Sequence, residues 1–513
     1  MKKLLASLLT AFLLPATILF AQDQVRKPTD IELNTILADF DQYAAKARAD
    51  WQIPGMAIGI VQEGQLIFAK GYGVKRMGEN DPVTENTLFQ IGSTTKAFTA
   101  ALVAMLVDAG KLKWEDRVID HLPDFRMYDP WVTREYRVWD LMSQHSGLPA
   151  YAADGLYFLG YDRPYIRQAL RHIKPLSSFR SQYAYQNGLW LVAANLIEKY
   201  TGKSWEEALR ERLFTPLEMT SSSADKQSFL RATDVSGLHT AEGDKVMVLP
   251  REWEFLDWSY IAGPAGAINS NIVDMAKWLT FQMSAGKVKD RQLISVANDQ
   301  VIHSPKTVVS LGGEVHKHVF YCLGWIYQEH SPNPIIWHNG GTAMKTMVAF
   351  VPEQKMGIVV LSNYVTTLPE LLAYRFIDQY SGKPSRDLSA EGMAELEKMK
   401  KEAKAKVPVA PKNPLAAMPL EKYAGDYSND IYGKIRVSAA DGKLTLTIGP
   451  KNIKMALKHW NKDTFTASLP GSGDNFDHSF AIFQVNPSEE VAGVTLDALN
   501  QGNDMGVFKR RGE

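Results

Sequence analysis

Two runs of apolar and β-favouring residues, Ile53 to Gln62 and Gln65 to Val74, flank Glu63-Gly64 and predict a β-hairpin. The period then changes. After Lys96, the residues Phe98, Ala101, Leu102, Met105 and Leu106 recur at i, i+3, i+4, i+7 and i+8, the pattern of a helix with one buried face, and Gly110 supplies its stop. From about Leu112 to Ser228 the signals are mostly helical, interrupted by proline and glycine. Leu189, Val192, Leu196, Ile197 and Tyr200 form one stripe that ends at Thr201-Gly202. Asn271 caps a further predicted helix over Ile272 to Gln282, with Asp274 three residues on.

Strand signals return at Pro334 to Trp337, Met347 to Val351 and Met356 to Leu361. Strands at both ends enclosing helices predict an α+β fold, an α/β sandwich in which an antiparallel sheet from distant parts of the chain is flanked by helices and joined by a helical subdomain. Between Ser381 and Pro414 the character shifts: Ala394 to Lys406 is a charged helical segment, followed by Pro408, Pro411 and Pro414. Beyond it, Lys434 to Val437, Leu444 to Ile448 (after an Asp441-Gly442 turn) and Lys454 to Leu457 read as short strands of a small β-barrel. The expected organisation is a main domain over 30–382, a linker over 383–414 and a β domain over 415–513.

Composition narrows the function. Lysine plus arginine equals aspartate plus glutamate at 57 each, so no net field draws nucleic acid or an anionic membrane, and a small, roughly neutral molecule or short peptide is the expected partner. Met1-Lys2-Lys3, the apolar run Leu4 to Phe20 and Ala21 have the parts of a signal peptide, 1–21, which predicts a secreted or periplasmic protein with no stable membrane span after cleavage. Cys322 is the sole cysteine and sits in an apolar stretch, the setting of a buried inert thiol. His316-Lys317-His318 is the only close histidine pair and lacks a third ligand in register, so neither a metal nor another cofactor is expected. Oligomeric state is not readable from these features.

The chemistry begins at Ser93-Thr94-Thr95-Lys96. Residues at i and i+3 on a helix lie about 5 to 6 Å apart at Cβ, so the Lys96 amine can reach the Ser93 hydroxyl, placed here in the first turn of the core helix. The alternative for Ser93 is an N-cap. Ser223-Ala-Asp-Lys226 and Ser284-Ala-Gly-Lys287 repeat the spacing but read as turn or helix-end chemistry. A lysine near its ordinary pKa of about 10.4 is protonated and needs help to act as a base. Tyr185-Gln186-Asn187 can supply it: a tyrosine beside an ammonium could ionise or relay a proton, although moving its pKa from about 10 to about 7 takes roughly 4 kcal/mol. Asn187 offers a donor and an acceptor to a substrate amide. Tyr427-Ser428-Asn429 is a second copy of that motif, in the β domain. Trp337-His338-Asn339-Gly340-Gly341 follows the Pro334 to Ile336 strand, and its glycines allow substrate close to the backbone; His145-Ser146-Gly147 competes with it but reads as a loop with a structural histidine.

Ser93-x-x-Lys96, Tyr185-x-Asn187 and His338-x-Gly340, in this order, resemble the beta-lactamase-related serine hydrolases: class C beta-lactamases, D-Ala-D-Ala carboxypeptidase-type penicillin-binding proteins, D-aminopeptidases and related esterases. The resemblance spans about Ile53 to Tyr380, and the region from Leu420 onward looks like the lipocalin-like C-terminal domain of some members. It implies an acyl-enzyme reaction in which Ser93 attacks a carbonyl, Lys96 and Tyr185 move its proton, and Asn187 orients the acyl portion. The implied oxyanion hole is the backbone N–H groups of Ser93 and Gly341, beside Gly340. Beta-lactamases of this kind usually carry lysine where this chain has His338. A histidine mostly neutral at pH 7 weakens the grip on a beta-lactam carboxylate, so peptidase or esterase activity is favoured over a class C-like beta-lactamase. A penicillin-binding sensor that acylates without turnover is the non-catalytic alternative. Tyr151, Tyr157, Phe158, Tyr161, Tyr165, Trp253, Phe255 and Trp258 are candidate pocket walls, with core packing the competing role.

Overall fold

The computed structural model describes residues 27–243, 245–312, 318–467 and 479–511; the expected signal segment and His316-Lys317 lie outside them. Glu63 and Gly64 both take left-handed backbone (φ 50° and 82°), the geometry of a tight reversal between antiparallel strands, and join β1 (Gly55–Gln62) to β2 (Gln65–Gly73). The remaining strands of the main sheet are β3 (Thr307–Ser310), β4 (Val319–Tyr321), β5 (Ile326–Gln328), β6 (Ile335–Gly341), β7 (Lys345–Val351) and β8 (Met356–Ser362). They lie in the order β2-β1-β8-β7-β6-β5-β4-β3, antiparallel throughout. β1 pairs with β8 in the register Met56 to Ser362, so the sheet closes only when the two ends of the domain meet.

Strand alternation gives this sheet two buried faces. Met56, Ile58, Ile60, Met347, Ala349, Ile358 and Val360 point to one core, where α1 (Asp30–Asp50) contributes Phe40 and the C-terminal helix of the domain contributes Phe376, with ring centroids 5.1 Å apart. Ala57, Val61, Val348, Phe350, Val359 and Leu361 point to the other, packed on α2 (Thr95–Asp108) and the helical layer. That layer includes α3 (Asp154–Leu159), α4 (Gly188–Thr201) and α5 (Ile272–Met283); α6 (Leu368–Tyr380) and α7 (Leu388–Lys406) complete the first face. Gly202 ends α4 at φ 67° and Asn271 caps α5 by accepting from Asp274 N–H, as the sequence indicates.

α2 departs from expectation. Every residue from Thr95 to Leu106 is buried, not one stripe, because the helix runs between the sheet and the helical layer and is wrapped by both. Phe98 stacks on Trp278 of α5 with ring centroids 3.7 Å apart. α7 is also more than a linker: Trp51 Nε1 donates to Ser389 Oγ at 2.9 Å and Tyr43 Oη to Asp387 at 3.0 Å, which ties the start of the helix to α1.

From Gly425 to Arg510 eight strands close into an up-and-down barrel, with Asp441 and Gly442 left-handed at one hairpin. Tyr427 of the second Tyr-x-Asn copy lies in its core, donating to Tyr423 O at 2.7 Å, a structural role. The barrel sits on the α3 region: Tyr161 and Tyr165 Oη donate to Tyr432 O (2.5 Å) and Ile431 O (3.2 Å), and Lys451 Nζ to Glu254 O (3.0 Å). Most of the aromatic group is therefore interface and core, the role that competed with walling a pocket. Phe158 stacks on Trp258 (5.1 Å), and of the whole group Tyr151 alone packs against a candidate catalytic ring.

Candidate active site

Ser93 stands at the partly exposed N-terminal approach to α2. It lies in a 3-10 turn, Gly92–Thr94, just before α2 instead of inside its first turn, and it caps nothing. Gly92 makes the turn possible at φ 52°, and a Cβ there would come within 2.7 Å of Gly341 N. Thr94 Oγ1 donates to Ile91 O at 2.9 Å and holds the turn shut. Ser93 keeps partial exposure while its neighbours Gly92, Thr94 and Lys96 are buried.

The Lys96 Nζ lies 3.1 Å from Ser93 Oγ, 2.6 Å from Asn187 Oδ1 and 3.0 Å from Ala265 O. Two of these are carbonyl oxygens that only accept. They occupy both hydrogens of a neutral amine and leave its lone pair facing the serine hydroxyl. Burial pushes the Lys96 pKa down from 10.5 to about 7, with the negative charge of Asp154 resisting. The rings of Tyr185 and Trp190 stand over the amine, at 4.7 and 5.8 Å to their centroids.

Tyr185 and Asn187 enter from the loop ahead of α4. Gln144 holds that loop: its Oε1 accepts from Gln186 N–H (2.6 Å) and its Nε2 donates to Gln186 O (3.1 Å), while Tyr151 N–H donates to Tyr185 O (2.7 Å). Asn187 occupies the N-cap position of α4 without capping it, because its amide is committed at both ends, to Lys96 and, through Nδ2 at 2.7 Å, to Asp154 Oδ2. The expected contact of Asn187 with a substrate amide thus competes with two existing bonds. The Tyr185 hydroxyl is sealed from solvent and has no partner in hydrogen-bonding geometry. Burial, reinforced by Tyr321, drives its pKa well above 10, and the nearby Ser93 hydroxyl only partly offsets this. Of the two routes open to Tyr185, ionisation and proton relay, the electrostatics oppose ionisation, because burial penalises the phenolate more than one neighbouring ammonium repays.

His338 lies inside β6 rather than after it, paired with Val348 of β7. The sequence hides this because Gly340 and Gly341 break the strand pattern. An added Cβ on Gly340 would come 1.9 Å from Ile91 O, so glycine lets β6 press against the serine turn, whereas Gly341 has open space beside it. His338 Nδ1 bonds to Asn339 O at 2.6 Å, which assigns the proton to Nδ1 and leaves Nε2 to accept the Tyr321 hydroxyl at 3.1 Å. Burial, followed by the charge of Lys96, pushes its pKa from 6.5 to about 3. His338 is a neutral wall. The nearby Lys345 is ion-paired with Glu370 at 2.7 Å.

The competing motifs are structural. Lys226 pairs with Asp257, Ser284 is the C-cap of α5, and His145 is held by Asp140 (2.8 Å) and Thr307 (2.9 Å). Cys322 is buried, and desolvation pushes its thiol up to about 12. Tyr321, Gln144 and Asp154 escaped sequence reasoning; the one available signal was a lone acid at Asp154 in the apolar stretch Ala152 to Leu159. Among the described residues no three His, Cys, Asp or Glu side chains converge on a point, and no helix is long and apolar enough to cross a membrane.

The family model described as Beta-lactamase matches residues 40–380, and one described as a domain of unknown function, DUF3471, matches 409–508. The chain is 30% identical to an unguisins hydrolase of Aspergillus campestris over 78% of this chain and 77% of that one. It is 28% identical to penicillin-binding protein 4 of Amycolatopsis lactamdurans over 54% and 71%. The octameric penicillin-binding protein homologue of Pyrococcus abyssi shares the fold, with a TM-score of 0.60 at 19% identity, over 92% of this chain and 100% of that one.

Proposed function

Because this chain belongs to the beta-lactamase family, we propose that it is a serine hydrolase that cleaves a small amide or ester through an acyl-enzyme, with D-amino-acid peptides preferred among amides. The observation that carries the reading is the Lys96 amine, buried, with a pKa near 7, and 3.1 Å from Ser93 Oγ. As Ser93 Oγ bonds to the substrate carbonyl carbon, its proton passes to the Lys96 lone pair. The oxyanion forms at the N–H groups of Ser93 and Gly341, each contributing about 2.7 to 4 kcal/mol. Tyr185 gives its hydroxyl proton to the departing nitrogen or oxygen as the carbonyl–leaving group bond breaks, and recovers one from the Lys96 ammonium. Water then attacks the ester of Ser93 by the same route in reverse, and the acid product leaves with Ser93 regenerated.

Tyr185 relays the proton in this scheme, giving up its own as it takes one from Lys96 and the reverse during deacylation, so no lasting phenolate forms. Tyr185→Phe is expected to lower kcat by about 100-fold with little change in KM, the typical loss of one positioned proton donor; steady-state kinetics showing full activity would remove it from the pathway. A His338 uncharged at any working pH, with Lys345 neutralised by Glu370, favours substrates without a carboxylate to clamp. Hydrolysis of a p-nitrophenyl ester, a D-Ala-D-Ala peptide amidated at its C-terminus and a chromogenic cephalosporin tests the assignment. The ester and peptide are expected to turn over with the highest kcat/KM. A cephalosporin cleaved as fast as the ester would establish the beta-lactamase reading instead, and stable labelling by a fluorescent penicillin with no released product would establish the sensor.

The Aspergillus relative is an unguisins hydrolase, which supports hydrolysis as the reaction class. Export of the mature chain to a periplasmic or extracellular space is part of the same proposal, resting on the Met1 to Ala21 pattern.

A further inference from the structure

The mechanism leaves one buried acid beside the reacting groups unused. Asp154 Oδ2 accepts from Asn187 Nδ2 at 2.7 Å, and the opposite end of that amide accepts from Lys96 Nζ at 2.6 Å, so a single side chain joins acid to amine. Although Asp154 as a residue is partly exposed, its Oδ1 is sealed from solvent and has no hydrogen-bond partner. Two left-handed residues, Tyr151 (φ 58°) and Ala153 (φ 69°), bring the chain to this position.

The barrel closes the pocket from outside. An added Cβ on Gly155 would come 3.2 Å from the ring of Tyr432 and 3.5 Å from its hydroxyl, which itself donates to Leu499 O at 3.3 Å. The ionisable groups that feel Asp154 are Lys96 from α2, Tyr151 and Tyr157 from its own loop and helix, and Tyr432 from the barrel; Lys96 is the cation among them. Burial pushes Asp154 well above the usual carboxylate range, with Asn187 and Lys96 resisting, so the ionisations of acid and amine are coupled.

We propose that Asp154 is a positioning residue for acyl transfer: acting through Asn187 it fixes the orientation of the Lys96 amine and strengthens it as a base, in a pocket that Tyr432 of the C-terminal barrel completes. The carboxylate holds the NH2 end of Asn187, which turns the carbonyl end toward the amine and keeps the amine lone pair on Ser93. Its charge favours the protonated amine and so raises the pH at which the base becomes free. This rests on the reading of Lys96 as the base.

Ester hydrolysis by wild type, Asp154→Asn, Asp154→Leu and Tyr432→Ala, with kcat and KM measured from pH 5 to 9, is the test. Asp154→Asn keeps an acceptor for Asn187 and removes the charge. Its acid limb is expected to move to lower pH by about one unit and to sharpen to a single ionisation. Asp154→Leu also loses the hydrogen bond, and its plateau kcat is expected to fall by about tenfold or more at nearly constant KM. Tyr432→Ala admits water, which favours both charged forms, so its limb is expected to move to higher pH. An Asp154→Asn limb coincident with wild type, or Asp154→Asn and Tyr432→Ala shifting the limb the same way, would overturn the inference while leaving the hydrolase reading intact. A wild-type activity unaffected by Ser93→Ala would overturn both.

Discussion

Ser93→Ala is expected to lose about 10⁴-fold or more in kcat for ester hydrolysis while its circular dichroism and melting temperature stay close to wild type. Removing a nucleophile stops covalent catalysis, and what survives is the rate due to the oxyanion donors and binding alone. The site predicts little structural cost. Ser93 is the partly exposed member of its turn, it caps no helix, and the turn is held by Thr94 on Ile91 O and by Gly92 against Gly341. A variant within tenfold of wild type would mean that another group carries the chemistry.

Lys96→Met is expected to cost about 10² to 10⁴-fold in kcat, with the acid limb near pH 7 abolished, because the residual reaction must deprotonate Ser93 without a base. It should also be the more stable protein at neutral pH. The amine has a folded pKa of about 7 against 10.5 in the exposed state, so the unfolded chain holds an extra proton between those values. Stability of the wild type therefore rises with pH across about 7 to 10.5 and is penalised below it, and methionine removes that penalty while filling a similar volume. Activity falling as melting temperature holds or rises would separate catalysis from fold. A loss of both would point to a structural lysine.

Periodicity made much of this molecule legible. The hairpin at Glu63-Gly64, the helix after Lys96, the stripe from Leu189 to Tyr200 and the Asn271 cap all follow from local spacing, and local interactions formed them. What failed were features decided at a distance. A one-sided stripe was expected for α2, yet its small residues Ala97, Ala100 and Ala104 are buried as well, since alanine carries no signal of which side a neighbour will approach. The strand through His338 was cut short by two glycines, of which Gly340 serves close approach to Ile91. At the site, the serine, lysine, tyrosine and histidine were readable because each sits in a short motif. Ala265 contributes only a backbone carbonyl, Gln144 and Tyr321 act across 42 and 17 residues, and Asp154 belongs to no motif. The direction of the tyrosine and lysine shifts was likewise invisible, because desolvation depends on what the completed fold excludes.

The barrel is the other element whose placement no local pattern contains. Its β character is written in alternating residues such as Leu444, Leu446 and Ile448, but its seat on Tyr161, Tyr165 and α3 depends on hydroxyls meeting loop carbonyls some 270 residues away (271 for Tyr161 and Tyr432).

The central claim is that a free Lys96 amine releases Ser93 to form an acyl ester. Rapid-quench intact-mass analysis with an activated ester, followed by peptide mapping, measures it directly. The account predicts one added acyl group on the peptide carrying Ser93, with a rate of appearance that rises between pH 5 and 9 through a midpoint near 7. An adduct on any other residue, or acylation that climbs only toward pH 10, would contradict it.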